Sequence, residues 1–158
     1  MTTTQERLRE LGITLPSASS PVASYVQTRL VAIGEGRSLI YVAGQICRDG
    51  SEVMAGRCPD EVTVEEANRR ARLCGLAVLS QIEQAVGLDN VIELAQVIGF
   101  VRSVDGFTEQ PKVVNGASDL FVEVFGSSGK HTRAAVSANA LPLGATVEIA
   151  AVAVVRTG

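Results

Sequence analysis

Two side chains near the end of this chain combine residue type and setting in a way that points to chemistry: Arg133 and Glu148. Glu148 is a carboxylate inside the run Val147–Val154, whose other members are Val, Ile and Ala. A carboxylate buried among such residues must be paired or hydrogen-bonded, or it takes up a proton. The choice is between an edge position turned to water and a group that positions water or moves protons. Arg133 opens a strand-like run whose same-face successors are Ala135, Ser137 and Asn139, all small or polar, which leaves room for a ligand. A guanidinium presents paired N–H donors that match a carboxylate, so an arginine on the floor of such a groove can clamp an anion. The bland alternative is a structural ion pair with one of the 17 acidic residues. Whatever chemistry the protein performs is expected in the segment from Lys130 to Val154.

The elements that must position these two groups follow from periodicity. Thr3 and Glu6 make a possible capping box for a short terminal helix stopped by Gly12. Leu15–Ser24, with Pro16, Pro21 and four serines, reads as an extended arm. Val26–Ile33 and Ser38–Ala43 read as a hairpin across Gly34-Glu35-Gly36, with Gly44-Gln45 ending the second strand. Arg48–Glu61 reads as a loop. Thr63 and Glu66 cap a long helix with an apolar stripe from Val64 to Ala85, closed by Gly87. Val91–Val101 is a strand. Thr108 is the expected N-cap of a second helix, with Pro111 in its first turn and Gly126 at its end. Two final strands, Arg133–Ala140 and Thr146–Arg156, are joined through Leu141-Pro142-Leu143-Gly144. The expectation is an α+β domain of order ββαβαββ over residues 25–158, a mixed sheet with two helices on one face, preceded by an extra N-terminal helix and arm over residues 1–24.

The last strand is apolar on both faces, Val147, Ile149, Ala151 and Ala153 alternating with Ala150, Val152 and Val154. An exposed apolar sheet face is unusual, so the second face is expected to be covered by further copies of the chain. Pairing the last two strands as a hairpin centred on Leu143 puts Arg133 near Ala153, roughly 17 Å from Glu148 at ~3.4 Å per residue. A site using both groups is then expected between copies, one supplying Arg133 and another Glu148.

Composition narrows the function classes. Hydrophobic residues make up 46% of the chain and charged residues 20%, which argues against disorder, while aromatics at 4% force a core of Val, Leu, Ile and Ala. A net charge of −3 with no Lys/Arg cluster offers no field or stacking platform for nucleic acid. No run approaches a membrane span and no secretory signal follows Met1, so a cytoplasmic location is expected. Cys47, Cys58 and Cys74 lack C-x-x-C spacing and His131 is the only histidine, so no usual zinc set can be assembled. Cys74 falls on the apolar helix stripe, and Cys47 alone sits in a candidate functional loop.

Arg133-Ala134-x-Val136, then Leu141-Pro142, then Val147-Glu148-Ile149 resembles the C-terminal signature of the RidA/YjgF family of reactive-intermediate deaminases. Tyr25-Val26-Gln27, Ala43-Gly44-Gln45 and Val114-Asn115-Gly116 match further family segments in order, so the resemblance spans about Pro21 to Val155. It implies a chorismate-mutase-like fold, homotrimers with clefts between subunits, and hydrolysis of imines or enamines to carbonyl compounds and ammonia without metal or organic cofactor. It also implies that Arg133 holds a substrate carboxylate, Glu148 orients or activates water, the Tyr25 hydroxyl helps close the pocket, Gly44 offers backbone polar groups and Asn115 lines or braces the cleft. Independently of the resemblance, Tyr25 also suits a buried interface aromatic, Gly44 a turn needing positive φ, and Asn115 a hydrogen bonder at a helix start. The chain departs from the family pattern at His131-Thr132, Ala135 and Asn139. Two rivals stand beside the deaminase: a non-catalytic trimer that binds small carboxylates, and, with less support, an endoribonuclease.

Overall fold

The computed structural model describes all residues, Met1–Gly158. The first helix, α1 (Thr4–Glu10), carries the expected capping box: the Thr3 hydroxyl accepts from the Glu6 amide, and the Glu6 carboxylate accepts from the Thr3 amide. Leu8 anchors it in the core. Two strands follow, β1 (Thr28–Gly34) and β2 (Arg37–Ile46), paired antiparallel around Glu35, which takes a positive φ of 53°. A small second hairpin, β3 (Arg48–Asp49) with β4 (Glu52–Val53), turns at Gly50 where a loop was expected.

Helix α2 (Val64–Val86) starts at Thr63, whose hydroxyl accepts from the Glu66 amide. Only this half of the expected capping box forms, because the Glu66 carboxylate turns to Arg69 and Arg70 instead. Those guanidiniums, Arg69 foremost, hold Glu66 at a pKa of about 2. Strand β5 (Val91–Arg102) leads to α3 (Gln110–Phe125), which begins one residue later than Thr108 predicted, with Glu109 at the N-cap. With Thr108 as cap, Pro111 would occupy N3, the position whose N–H the cap hydroxyl seeks, and proline has none. The chain ends with β6 (Thr132–Ala138) and β7 (Val147–Arg156).

The main sheet runs β1-β2-β7-β5-β6, with β6 parallel to β5 and the other pairs antiparallel. The expected β6–β7 hairpin therefore does not form, because β5 lies between the two strands. The physical reason was present in the pattern: a strand apolar on both faces belongs in the middle of a sheet, and one with Thr132, Ser137 and small residues suits an edge. The connection crosses the end of β5 through a tight turn at Pro142–Gly144, where Leu143 takes φ 56°.

Helices α2 and α3 cover one face of this sheet. Val78, Leu79, Ile82, Leu120 and Phe121 pack against Val97, Val101, Val147, Ile149 and Ala153, all inaccessible to solvent. Truncating the fully buried Phe121 to Ala would cost about 3–5 kcal/mol. The helices cross closely enough that a Cβ on Gly116 would lie 2.0 Å from the Asn68 carbonyl oxygen. On the other face Ala150, Val152 and Val154 of β7 lie only half-buried, and Val31, Tyr41 and Val136 are exposed. The two-sided apolar strand is thus covered on one side only within a single chain.

Candidate active site

Strand register sets the relation between Arg133 and Glu148. Arg133 lies beside Val97, which lies beside Ala151, so Arg133 shares a row with two core residues and faces the helix layer. Glu148 lies in the row of Phe100 and Val136, three residues from Ala151 and hence on the opposite face. Two strand spacings across and three residues along place their Cα atoms roughly 14 Å apart. One chain alone does not bring the two groups together, and the reason is the sheet itself rather than the length of a hairpin.

The Arg133 guanidinium is held by α3. Nη1 donates to Asn115 Oδ1 at 2.8 Å and to Ser118 Oγ at 3.1 Å, and Nη2 donates to the Pro111 carbonyl at 3.4 Å. None of the chain's ion pairs includes it, so the salt-bridge alternative does not hold within the chain. Asn115 braces the arginine. Ser118 and His131 were not singled out as partners from sequence. Pro111, Asn115 and Ser118 nevertheless stand four and three residues apart, one face of a helix, and that spacing was the available signal.

His131 extends the brace. Its Nδ1 lies 2.6 Å from the Gly129 carbonyl, which can only accept, so Nδ1 carries the proton. In the neutral ring Nε2 then accepts from the Ser118 hydroxyl at 2.9 Å, leaving the Ser118 oxygen to accept from Arg133. The ring is locked edge-on against the buried Phe121, centroids 5.9 Å apart. The chain from the Gly129 carbonyl through His131 and Ser118 to Arg133 has a single consistent direction.

Glu148 faces a cavity of about 680 Å³ that Tyr25 and Gly44 also line, whereas Arg133 and Asn115 do not. The cavity exists because β1 stops pairing at Thr28↔Val42 while β2 runs on to Ile46, leaving the β2 edge without a strand neighbour. The arm between Pro16 and Gln27 closes the far side. It is tied down by Ser80 Oγ donating to the Pro16 carbonyl at 2.8 Å and by buried Gln81 donating to the Ser19 carbonyl at 2.9 Å. Gln45 in turn donates to Gln27 Oε1 at 2.9 Å.

The strand does not end at Gly44-Gln45 as expected; it passes through a bulge, with Ala43 and Gly44 together opposite Ala150. Gly44 does not take a positive φ. Its lack of a side chain serves close approach: a Cβ there would lie 2.8 Å from Glu148 Cδ. The carboxylate packs on bare backbone, and burial alone pushes its pKa upward, with no hydrogen bond or cation offsetting the shift. Cys47, between two cavity residues, is itself fully buried and donates to the Met54 carbonyl, so its thiol does not reach the cavity. No group of three or more His, Cys, Asp and Glu side chains converges as a metal site would require, and no helix is long and apolar enough to cross a membrane.

Residues 5–154 match the family described as "YjgF/chorismate_mutase-like, putative endoribonuclease". Protein TCP17 of Trypanosoma cruzi is 42% identical over 145 residues, covering 90% of this chain and 88% of that protein. The crystal structure of Atu1372 from Agrobacterium tumefaciens, a protein of unknown function, is 37% identical, has a TM-score of 0.82, and covers 98% of this chain and 92% of its own. E. coli TdcF, solved with bound serine, is 25% identical with a TM-score of 0.57, covering 87% of this chain and 92% of its own. The sheet order, the two covering helices and the extent of these matches agree, and the chain belongs to the YjgF/chorismate mutase-like family.

Proposed function

We propose that the protein hydrolyses reactive 2-imino or enamine acids to 2-oxo acids and ammonia. The observation that carries this reading is Glu148: a half-buried carboxylate, raised in pKa, without a partner, facing a cavity it shares with Tyr25 and the exposed backbone of Gly44. Such a group can take a proton and return it, which the reaction requires twice. Glu148 removes a proton from water as the oxygen adds to the carbon of the protonated imine, giving a neutral carbinolamine. Glu148 then returns that proton to the nitrogen as the C–N bond breaks, and its freed carboxylate takes the hydroxyl proton and passes it to solvent, so that ammonia leaves and the carbonyl forms.

The imine carbon is already electrophilic, so orientation and one proton-transfer group suffice. Arg133 binds the substrate carboxylate, braced by Asn115. Because Arg133 and Glu148 face opposite sides of one sheet, the reading places the site between copies of a homotrimer whose apolar sheet faces meet. TdcF holding serine, an amino acid with the same carboxylate and nitrogen arrangement, supports a ligand of this size and charge. An endoribonuclease draws no support from the cavity, whose lining includes one cationic side chain and one aromatic.

An assay that generates 2-iminopropionate in situ and follows its disappearance tests the reading. Turnover at the wild-type rate in both Glu148→Gln and Arg133→Ala would sink it. Retained carboxylate binding with no turnover in the wild type would instead identify a binding protein.

A further inference from the structure

Arg48 lines the same cavity as Glu148 and has no role in the scheme above. It is the only cationic side chain in the lining, as Glu148 is the only acidic one. The small hairpin of β3 and β4 orients it: Nη1 donates to the Ser51 carbonyl of its own turn at 3.1 Å. No carboxylate lies within ion-pair distance of it, Glu148 included, so its charge is unspent. The cavity is also larger than a three-carbon acid requires. Such a molecule displaces three or four waters, on the order of 100 Å³, against about 680 Å³ available.

An anionic ligand entering beside Glu148 meets a like charge, and a cation in the same walls is what offsets that repulsion. We propose that Arg48 binds a second anionic group on the substrate, so that the cavity selects 2-imino acids carrying a side-chain carboxylate over those ending in a methyl group. The inference rests on the reading of the Glu148 cavity as the reaction site, but the binding it asserts needs only residues of one chain. A guanidinium takes a carboxylate through two parallel N–H donors, and Arg48 keeps Nη2 and Nε free of any other partner in the chain.

The test pairs turnover with binding. In wild-type protein, kcat/KM for 2-iminoglutarate should exceed that for 2-iminopropionate, and Arg48→Met should remove about ten- to a hundredfold from the first while leaving the second unchanged. Arg48→Lys, which keeps charge without the fork, should restore part of the preference. Calorimetric titration with 2-oxoglutarate and with pyruvate, neither of which can be deaminated, reads the same selectivity without turnover. Selective binding of 2-oxoglutarate that is lost in Arg48→Met, with no turnover of either imine, would support the Arg48 site and overturn the deaminase reading. Equal affinity for both acids in the wild type, or an unchanged preference in an Arg48→Met protein with wild-type melting temperature, would overturn the role of Arg48.

Discussion

The surroundings of Arg133 and of Glu148 are built on opposite plans. The arginine is held by three hydrogen bonds to one helix, and Ser118 behind it is set in turn by His131, which Gly129 and Phe121 lock in place. The glutamate has no polar partner and rests on the backbone of a glycine. A group that binds gains from being fixed before the ligand arrives, because little ordering remains to be done. A group that transfers protons gains from a setting in which its charged form is not strongly favoured. The difference separates a rigid recognition element from a responsive one.

The largest way to break that comparison is at Glu148. Glu148→Gln should lower kcat by about 10²–10⁴ with little change in KM, read in the imine assay. The acidic limb of the wild-type pH profile should lie above the ordinary glutamate range and disappear in the variant. The same substitution should raise the melting temperature at neutral pH. A carboxylate whose folded pKa is raised favours folding only while protonated, so wild-type stability is lost as pH rises through the shifted value. The two proteins should converge below the unfolded-state pKa of glutamate, and equal melting temperatures at both pH extremes would contradict the assigned environment.

Gly44→Ala tests the same region through space. The new methyl must displace the Glu148 carboxyl, and a shift of that kind lowers kcat by up to about 10² while the fold is retained. At the other region, Arg133→Ala should lose about ten- to a hundredfold in kcat/KM, carried mostly by KM, and Arg133→Lys should recover only part of it. Smallest is the brace: Ser118→Ala and His131→Ala should each raise KM about two- to tenfold with kcat unchanged, and their double variant should be less than additive because both act through Arg133. Additive effects, or losses in kcat, would show that the chain of hydrogen bonds does not end at the arginine.

The elements themselves were legible from local rules. Caps at Thr3 and Thr63, glycines at 87 and 126, and the apolar stripes of α2 and α3 each act over a few residues, so their spacing carried the answer. Where the reading missed, a competing partner had intervened, near in sequence for Glu66 and distant for the strands. Arg69 and Arg70 took Glu66 away from its capping box. A bulge carried β2 past Gly44, and β5 entered between the last two strands.

The candidate site divides along the same line. That Arg133 and Glu148 were unusual could be read from residue type against background, since a charge among Val, Ile and Ala is anomalous wherever the strand lies. Their placement on opposite faces, the cavity formed where β1 ends before β2, and the presence of Arg48 in its wall depend on strand order and register. Those are set by contacts between residues far apart in the chain, because hydrophobic periodicity specifies which face of a strand is buried but not which strand lies beside it.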